Sequence, residues 1–246
     1  SCETYDINCK YNTNKLIDVT KELINKNQLP NCYIRPIVYT DYGSIGIIPK
    51  GNASYSTAIA VWEWGSYLGE DGIKNGIRCV ISDIMKTPSQ AMPATAKSCA
   101  NYANSFLAKK KALSAGYDEA ILLNQHGTVA EGPGENIFVI KDNKIKTPPL
   151  SDDVLKGITR DTAIQLCKDL GYSVTETSIT KEELLNADEC FFTGTAAEVT
   201  PIREINEQEI GTGKKGEITN TIQELYFNIV QGKEKKYNHW LTYCKE

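Results

Sequence analysis

The chain has 246 residues, 41% of them hydrophobic and 24% charged, with a formal net charge of -4. That length supports one large domain or two small ones with a sizeable core. The mild acidic balance gives no reason to expect nucleic acid or an anionic membrane as partner, and no run is long and apolar enough to span a bilayer.

The opening Ser1-Cys2-Glu3-Thr4 has neither the basic nor the apolar region of a signal peptide. Residues 13–27 place Leu16, Val19 and Leu23 at helical spacing, with Thr13 or Asn14 as cap and Pro30 as stop. Residues 32–39 are β-rich, and alternation puts Tyr33, Arg35 and Ile37 on one face. An arginine among apolar residues is either an edge residue paired with a surface carboxylate or a clamp for a substrate carboxylate. Residues 41–54 form a glycine-punctuated loop, and 57–62 a buried strand. Trp64-Gly65-Ser66-Tyr67-Leu68-Gly69 then breaks the pattern. Aromatic residues on such a linker plug a gap between domains or line an apolar pocket. The expected division is residues 1–63, a connecting loop 64–75, and 76–246.

Residues 76–82 read as a strand. Pro93-Ala94-Thr95-Ala96-Lys97-Ser98-Cys99-Ala100-Asn101-Tyr102 follows, with one lysine among small residues. Small neighbours leave room for a flat, bulky group, and a lysine away from water becomes a usable nucleophile of the Schiff-base kind. An ordinary surface lysine is the competing reading. Residues 100–115 look helical, with Phe106, Leu107 and Leu113 inward and Lys109-Lys110-Lys111 solvated. After a short strand at 120–123, Asn124-Gln125-His126-Gly127 reads as a hairpin turn.

Glu131-Gly132-Pro133-Gly134-Glu135-Asn136 precedes a strand at 137–140, after which Asp142-Asn143-Lys144 reads as another hairpin turn. Residues 131–136 are a charged turn, or one of their carboxylates points inward at a buried positive charge. Gly157-Ile158-Thr159-Arg160-Asp161 opens a helix that ends at Gly171, and its free N–H groups suit a phosphate. A strand at 172–177, a short helix at 181–186 and a strand at 188–192 follow. Thr193-Gly194-Thr195-Ala196-Ala197-Glu198 suits anion binding or a plain tight turn. A last helix from Glu217 buries Ile218, Ile222, Leu225 and Ile229.

The eight cysteines show no C-x-x-C and no cluster with His126 or His239, so no metal site is expected. They read as reduced, mostly small core residues of a cytoplasmic protein.

Together, A-K-S-C-A-N-Y, E-G-P-G-E-N-I-F, G-I-T-R-D and F-F-T-G-T-A-A-E-V-T-P-I resemble the branched-chain amino acid aminotransferases, fold-type IV enzymes that use pyridoxal 5'-phosphate. The resemblance covers essentially the whole chain. It implies an α+β fold, with a small α/β N-terminal domain, incomplete here, and a larger pseudo-barrel C-terminal domain. By the same resemblance Lys97 forms the Schiff base and moves the proton, Tyr102 bonds the cofactor's phenolic oxygen, and Glu131 faces the pyridine nitrogen. Leu155 lies under the ring, and Gly157, Ile158, Thr159, Gly194 and Thr195 hold the phosphate. Thr195 and Ala196 meet the substrate α-carboxylate. Arg35, Trp64, Tyr67 and Tyr102 line the side-chain pocket, and Ile47 enters a neighbouring subunit's site. The implied reaction moves the amino group of L-leucine, L-isoleucine or L-valine to 2-oxoglutarate in a homodimer or larger homo-oligomer. A D-amino acid aminotransferase or aminodeoxychorismate lyase shares the fold. The family also has an opening segment of roughly sixty residues not found here. It includes a phosphate-binding arginine, whose loss would cost about 1.5 to 3 kcal/mol. A non-catalytic fragment is therefore the alternative of another class.

Overall fold

A computed structural model describes residues 1–41, 43, 46–47 and 53–244. The chain divides into two units, Ser1–Gly65 with Thr242–Glu246, and Ser66–Leu241.

In the first unit α1 (Thr13–Lys26) begins where Asn12 Oδ1 accepts the Lys15 N–H at 2.9 Å. The cap is thus one residue earlier than the sequence suggests. β1 (Tyr33–Thr40) and β2 (Tyr55–Trp62) form an antiparallel ribbon, Tyr33 opposite Trp62 and Thr40 opposite Tyr55. The sequence predicts a buried strand near 57–62. Among the described residues, β2 pairs with β1 alone and stays half exposed, because a two-stranded ribbon has too little face to enclose.

The second unit carries α2 (Glu70–Asn75), β3 (Ile77–Ile81), α3 (Tyr102–Ser114), β4 (Glu119–Ile121), β5 (Asn136–Lys141) and β6 (Lys144–Thr147). It continues with α4 (Ile158–Asp169), β7 (Ser173–Glu176), α5 (Lys181–Leu185), β8 (Glu189–Gly194), β9 (Glu198–Ile205), β10 (Gln208–Glu209) and α6 (Glu217–Val230). One sheet runs β4-β3-β9-β8-β5-β6-β7, with β10 on β9. Its centre, β9-β8-β5-β6, is antiparallel; β3 runs parallel to both β4 and β9.

β5 shows why the sheet sits where it does. Ile137 and Val139 join one buried cluster with Ile77, Ile121 and Phe192, while Phe138 and Ile140 join another with Phe191, Ala163, Ile164 and Ile222. Both faces are covered, so the strand is a continuous apolar run rather than an alternating one. Phe138 and Phe191 stack at 4.8 Å.

Several expectations are corrected. The helix predicted at 100–115 forms, but Phe106, Leu107 and Leu113 are exposed and Ser105, Ala108 and Ala112 are buried. Small side chains let α3 lie close to β4, and larger ones would hold it off. Lys109 is not solvated: its Nζ donates to Glu119 Oε2 at 2.7 Å, and that carboxylate is fully buried. Of the eight cysteines, Cys79, Cys167 and Cys190 are buried; the others are partly or fully exposed. α2 lies inside the stretch read as a loop, β6 follows the hairpin turn read at 142–144, and β9 is not anticipated. Pro201 argues against a central strand at β9, yet the β3 ladder begins only at Ile202, beyond the residue that lacks an N–H.

Candidate active site

One cavity of the second unit is lined by Lys97, Tyr102, Glu131 and Leu155, together with Lys86, Ala94, Ala96 and Asn136. The segment between β3 and α3 supplies the lysine. Asn101 Nδ2 donates to Pro93 O at 3.2 Å and to Ala96 O at 3.1 Å, which closes the lysine turn from within. Ser89 N–H donates to Asp153 Oδ1 at 2.8 Å and ties the segment to the far wall. Burial falls on Ala94 and Ala96, whereas Lys97 is exposed at the rim, its Nζ 5.7 Å from the Tyr102 ring centroid. The expectation of a lysine held away from water is corrected: its small neighbours are buried, while Lys97 lines the cavity from an exposed position.

Glu131 is buried. Its Oε1 accepts from Lys86 Nζ at 2.6 Å, and its Oε2 accepts from Asn136 Nδ2 at 2.9 Å and the Leu155 N–H at 3.0 Å. Burial raises its pKa from the usual carboxylate range, while Lys86, the Leu155 N–H and Lys97 oppose the rise. Glu135 is buried as well, so both carboxylates of this turn point inward, not one. The turn is built for it: the Gly132 N–H donates to Glu135 O at 2.7 Å and the Gly134 N–H to Glu135 Oε2 at 3.0 Å. A Cβ at Gly132 would stand 2.6 Å from that oxygen and 3.1 Å from the Phe192 ring. Burial first, and then the Glu119 charge, push the Glu135 carboxyl up to about 8.

Asn136 joins the acid to the next element. Besides Glu131 it bonds Leu155 O at 2.9 Å, and a Cβ at Gly157 would collide with its Oδ1. Gly157 then precedes α4 with no side-chain cap, leaving the first N–H groups of a twelve-residue helix open to an anion. Thr159 is buried there and Ile158 exposed. Gly194 ends β8, where a Cβ would stand 3.3 Å from Gly134 O, beside the cavity wall; Thr195 and Ala196 form the turn to β9.

Arg35, Ile47 and Trp64 belong to the first unit. The Arg35 guanidinium lies 5.2, 5.4 and 5.9 Å from the ring centroids of Tyr33, Trp62 and Trp64. Ile47 is fully exposed. Tyr67, of the second unit, lies under Lys109 Nζ at 5.1 Å. Sequence reading missed Lys86, which bonds Glu131. Its local sequence carries no signal, because the partner is 45 positions away. Among the described residues no group of three His, Cys, Asp or Glu suits a metal ion, and no helix is long and apolar enough to cross a membrane.

The family described as amino-transferase class IV matches residues 1–205. A branched-chain-amino-acid aminotransferase of Pseudomonas aeruginosa is 40% identical over 100% of this chain and 79% of its own length. The chain belongs to the branched-chain aminotransferases of class IV. The crystal structure of the Escherichia coli branched-chain amino acid aminotransferase superposes with a TM-score of 0.97 at 35% identity, covering 99% of this chain and 80% of that one. The branched-chain amino acid aminotransferase of Thermobaculum terrenum, in its PLP form, gives a TM-score of 0.93 at 31% identity, covering 100% of this chain and 79% of that one. This aminotransferase thus has the fold-type IV architecture that its motifs imply.

Proposed function

We propose that the cavity binds pyridoxal 5'-phosphate and that the chain transfers the amino group of L-leucine, L-isoleucine or L-valine to 2-oxoglutarate. One observation carries this reading: an amine, a phenol and a buried carboxylate converge on a single cavity in a chain of this family. The donor set suits the cofactor. Ala94 and Ala96 give a thin wall for a flat ring, Glu131 a negative charge, and Gly157 with the uncapped start of α4 a cradle for phosphate. When bound, the cofactor supplies an aldehyde for the amine to trap and a ring that takes up electrons from the substrate Cα.

Lys97, at the rim, would be the amine that holds the cofactor and the base that moves a proton at the substrate Cα. Tyr102 orients the ring through its hydroxyl. Glu131 would favour a proton on the pyridine nitrogen; at about 4 Å such a pair attracts by roughly 4 kcal/mol at an effective dielectric of 20. Leu155 supports the ring, and Gly157, Ile158, Thr159, Gly194 and Thr195 bind the phosphate. Thr195 and Ala196 receive the substrate α-carboxylate. Trp64, Tyr67 and Tyr102 give the apolar wall for an aliphatic side chain, Arg35 the charge for glutamate's second carboxylate, and Ile47 a contact in a neighbouring subunit. The exposed apolar residues of α3 support a homodimer, and the free thiols a cytoplasmic location.

Steady-state rates with L-leucine, D-alanine and aminodeoxychorismate test the assignment. Leucine should turn over fastest with 2-oxoglutarate as acceptor; faster turnover of D-alanine or aminodeoxychorismate rejects it in favour of the other enzymes of this fold. The visible absorption of bound cofactor should be lost in Lys97→Ala, and a protein that stays colourless after cofactor is added is a non-catalytic fragment.

A further inference from the structure

A carboxylate has about four lone-pair sites on its two oxygens. Three on Glu131 are taken within the protein: one on Oε1 by Lys86 Nζ at 2.6 Å, two on Oε2 by Asn136 Nδ2 at 2.9 Å and the Leu155 N–H at 3.0 Å. The fourth, on Oε1, is left for a group in the cavity that Glu131 lines. Lys86 is 8% exposed and Glu131 5%.

Such a buried pair is a weak source of stability, because desolvation of both charges offsets their attraction. Its larger effect is on the protonation of the acid. Burial favours the neutral form of Glu131, and Lys86 is the strongest influence against it; the Leu155 N–H and Lys97 act in the same sense, and the Glu131 charge in turn raises Glu135. Lys86 is also firmly placed. Its N–H donates to Leu123 O at 2.8 Å, and the neighbouring Met85 O accepts from Asn104 Nδ2 at 2.9 Å. The segment is therefore pinned to both β4's exit and α3.

We propose that Lys86 is a positioning residue of this site: it keeps the Glu131 carboxylate ionised and leaves one Oε1 lone pair facing the cavity, so that a cationic pyridine nitrogen meets a full negative charge. The proposal rests on the cavity being the cofactor site.

The test compares Lys86→Met, Lys86→Arg and Lys86→Met with Glu131→Gln, each as the full chain. With cofactor, Lys86→Met should lower kcat for leucine roughly ten- to a hundred-fold, the scale of one lost charge-assisted bond, with little change in KM. Part of the rate should return as pH rises and the stranded Glu131 ionises, and Lys86→Arg should recover most of it. Without cofactor, Lys86→Met should unfold at lower temperature. Its stability should fall more steeply with rising pH than that of the wild type, since the folded state then holds a proton that the unfolded state releases. Adding Glu131→Gln should remove both effects. Wild-type kcat and pH profile in Lys86→Met overturn the proposal. So does a double variant that unfolds as readily as Lys86→Met, or fails to fold as it does, because Lys86 then acts by packing alone. If the wild type binds no cofactor, the cofactor-site reading fails instead, while the cofactor-free comparison still measures the linkage between Lys86 and Glu131.

Discussion

Lys97 and Lys86 invert what their sequence surroundings suggest. The lysine among small residues stands exposed at the rim, and the lysine in a segment without any motif is buried in the cavity lining. Residue type and spacing pointed to the first; the second depends on a partner distant in sequence. The acids behave similarly. Glu131 and Glu135 flank two glycines in what reads as a charged turn with one carboxylate inward. The two glycines instead fold the turn so that both go in. Arg35 shows the opposite case, where strand alternation alone puts it beside Tyr33. Three rings hold its guanidinium in place, which suits the planar recognition of a carboxylate. Under the proposed function, Arg35→Ala should raise KM for glutamate by roughly tenfold or more and that for leucine by much less. Equal increases in the two KM values would remove Arg35 from the clamp role.

Among the elements, those with a strong local signal form close to where the sequence puts them. α4 ends at a glycine with φ of 86°, and the β5–β6 hairpin turns through Asp142 and Asn143 at φ of 49° and 59°, as a two-residue turn of this hand requires. α5 is five residues long and lives on its cap. Thr180 Oγ1 accepts the Glu183 N–H at 3.1 Å, and the Glu183 carboxylate accepts the Thr180 N–H at 2.8 Å. Thr180→Ala should cost about 0.5 to 2 kcal/mol, read as a lower urea midpoint with unchanged slope. An unchanged midpoint would show that the burial of Leu184 alone holds the helix. β9 and the inward face of α3 were not legible locally. The proline of β9 is tolerated because of where its parallel neighbour starts, and α3 turns its small side chains inward because β4 lies close against it.

For the molecule as a whole, Glu135 sets a pH dependence. Its folded pKa of about 8 lies above its ordinary 4.5. Between those values the folded state holds more protons than the unfolded, so stability is greatest at the acid end of that window and falls as pH rises through it. Glu135→Gln, which keeps the size and removes the charge, should flatten the fall between roughly pH 5 and 8. A thermal-unfolding series that stays as steep in the variant would place the ionisation elsewhere. Glu119, buried beside Lys109, shares the same interior, and burial raises its pKa too.

The sequence by itself determined the family, the order of most elements and the motifs that meet at the cavity. Those depend on residue type and on spacing along the chain, and four motifs in order identify the family without coordinates. Only the tertiary structure decided that Lys86 bonds Glu131, that both acids of one turn are buried, and that Lys97 sits at the rim. The first is set by a partner 45 positions away and the other two by how the folded chain admits or excludes water, and the free energy of a charge depends on the water and partners around it rather than on residue type alone.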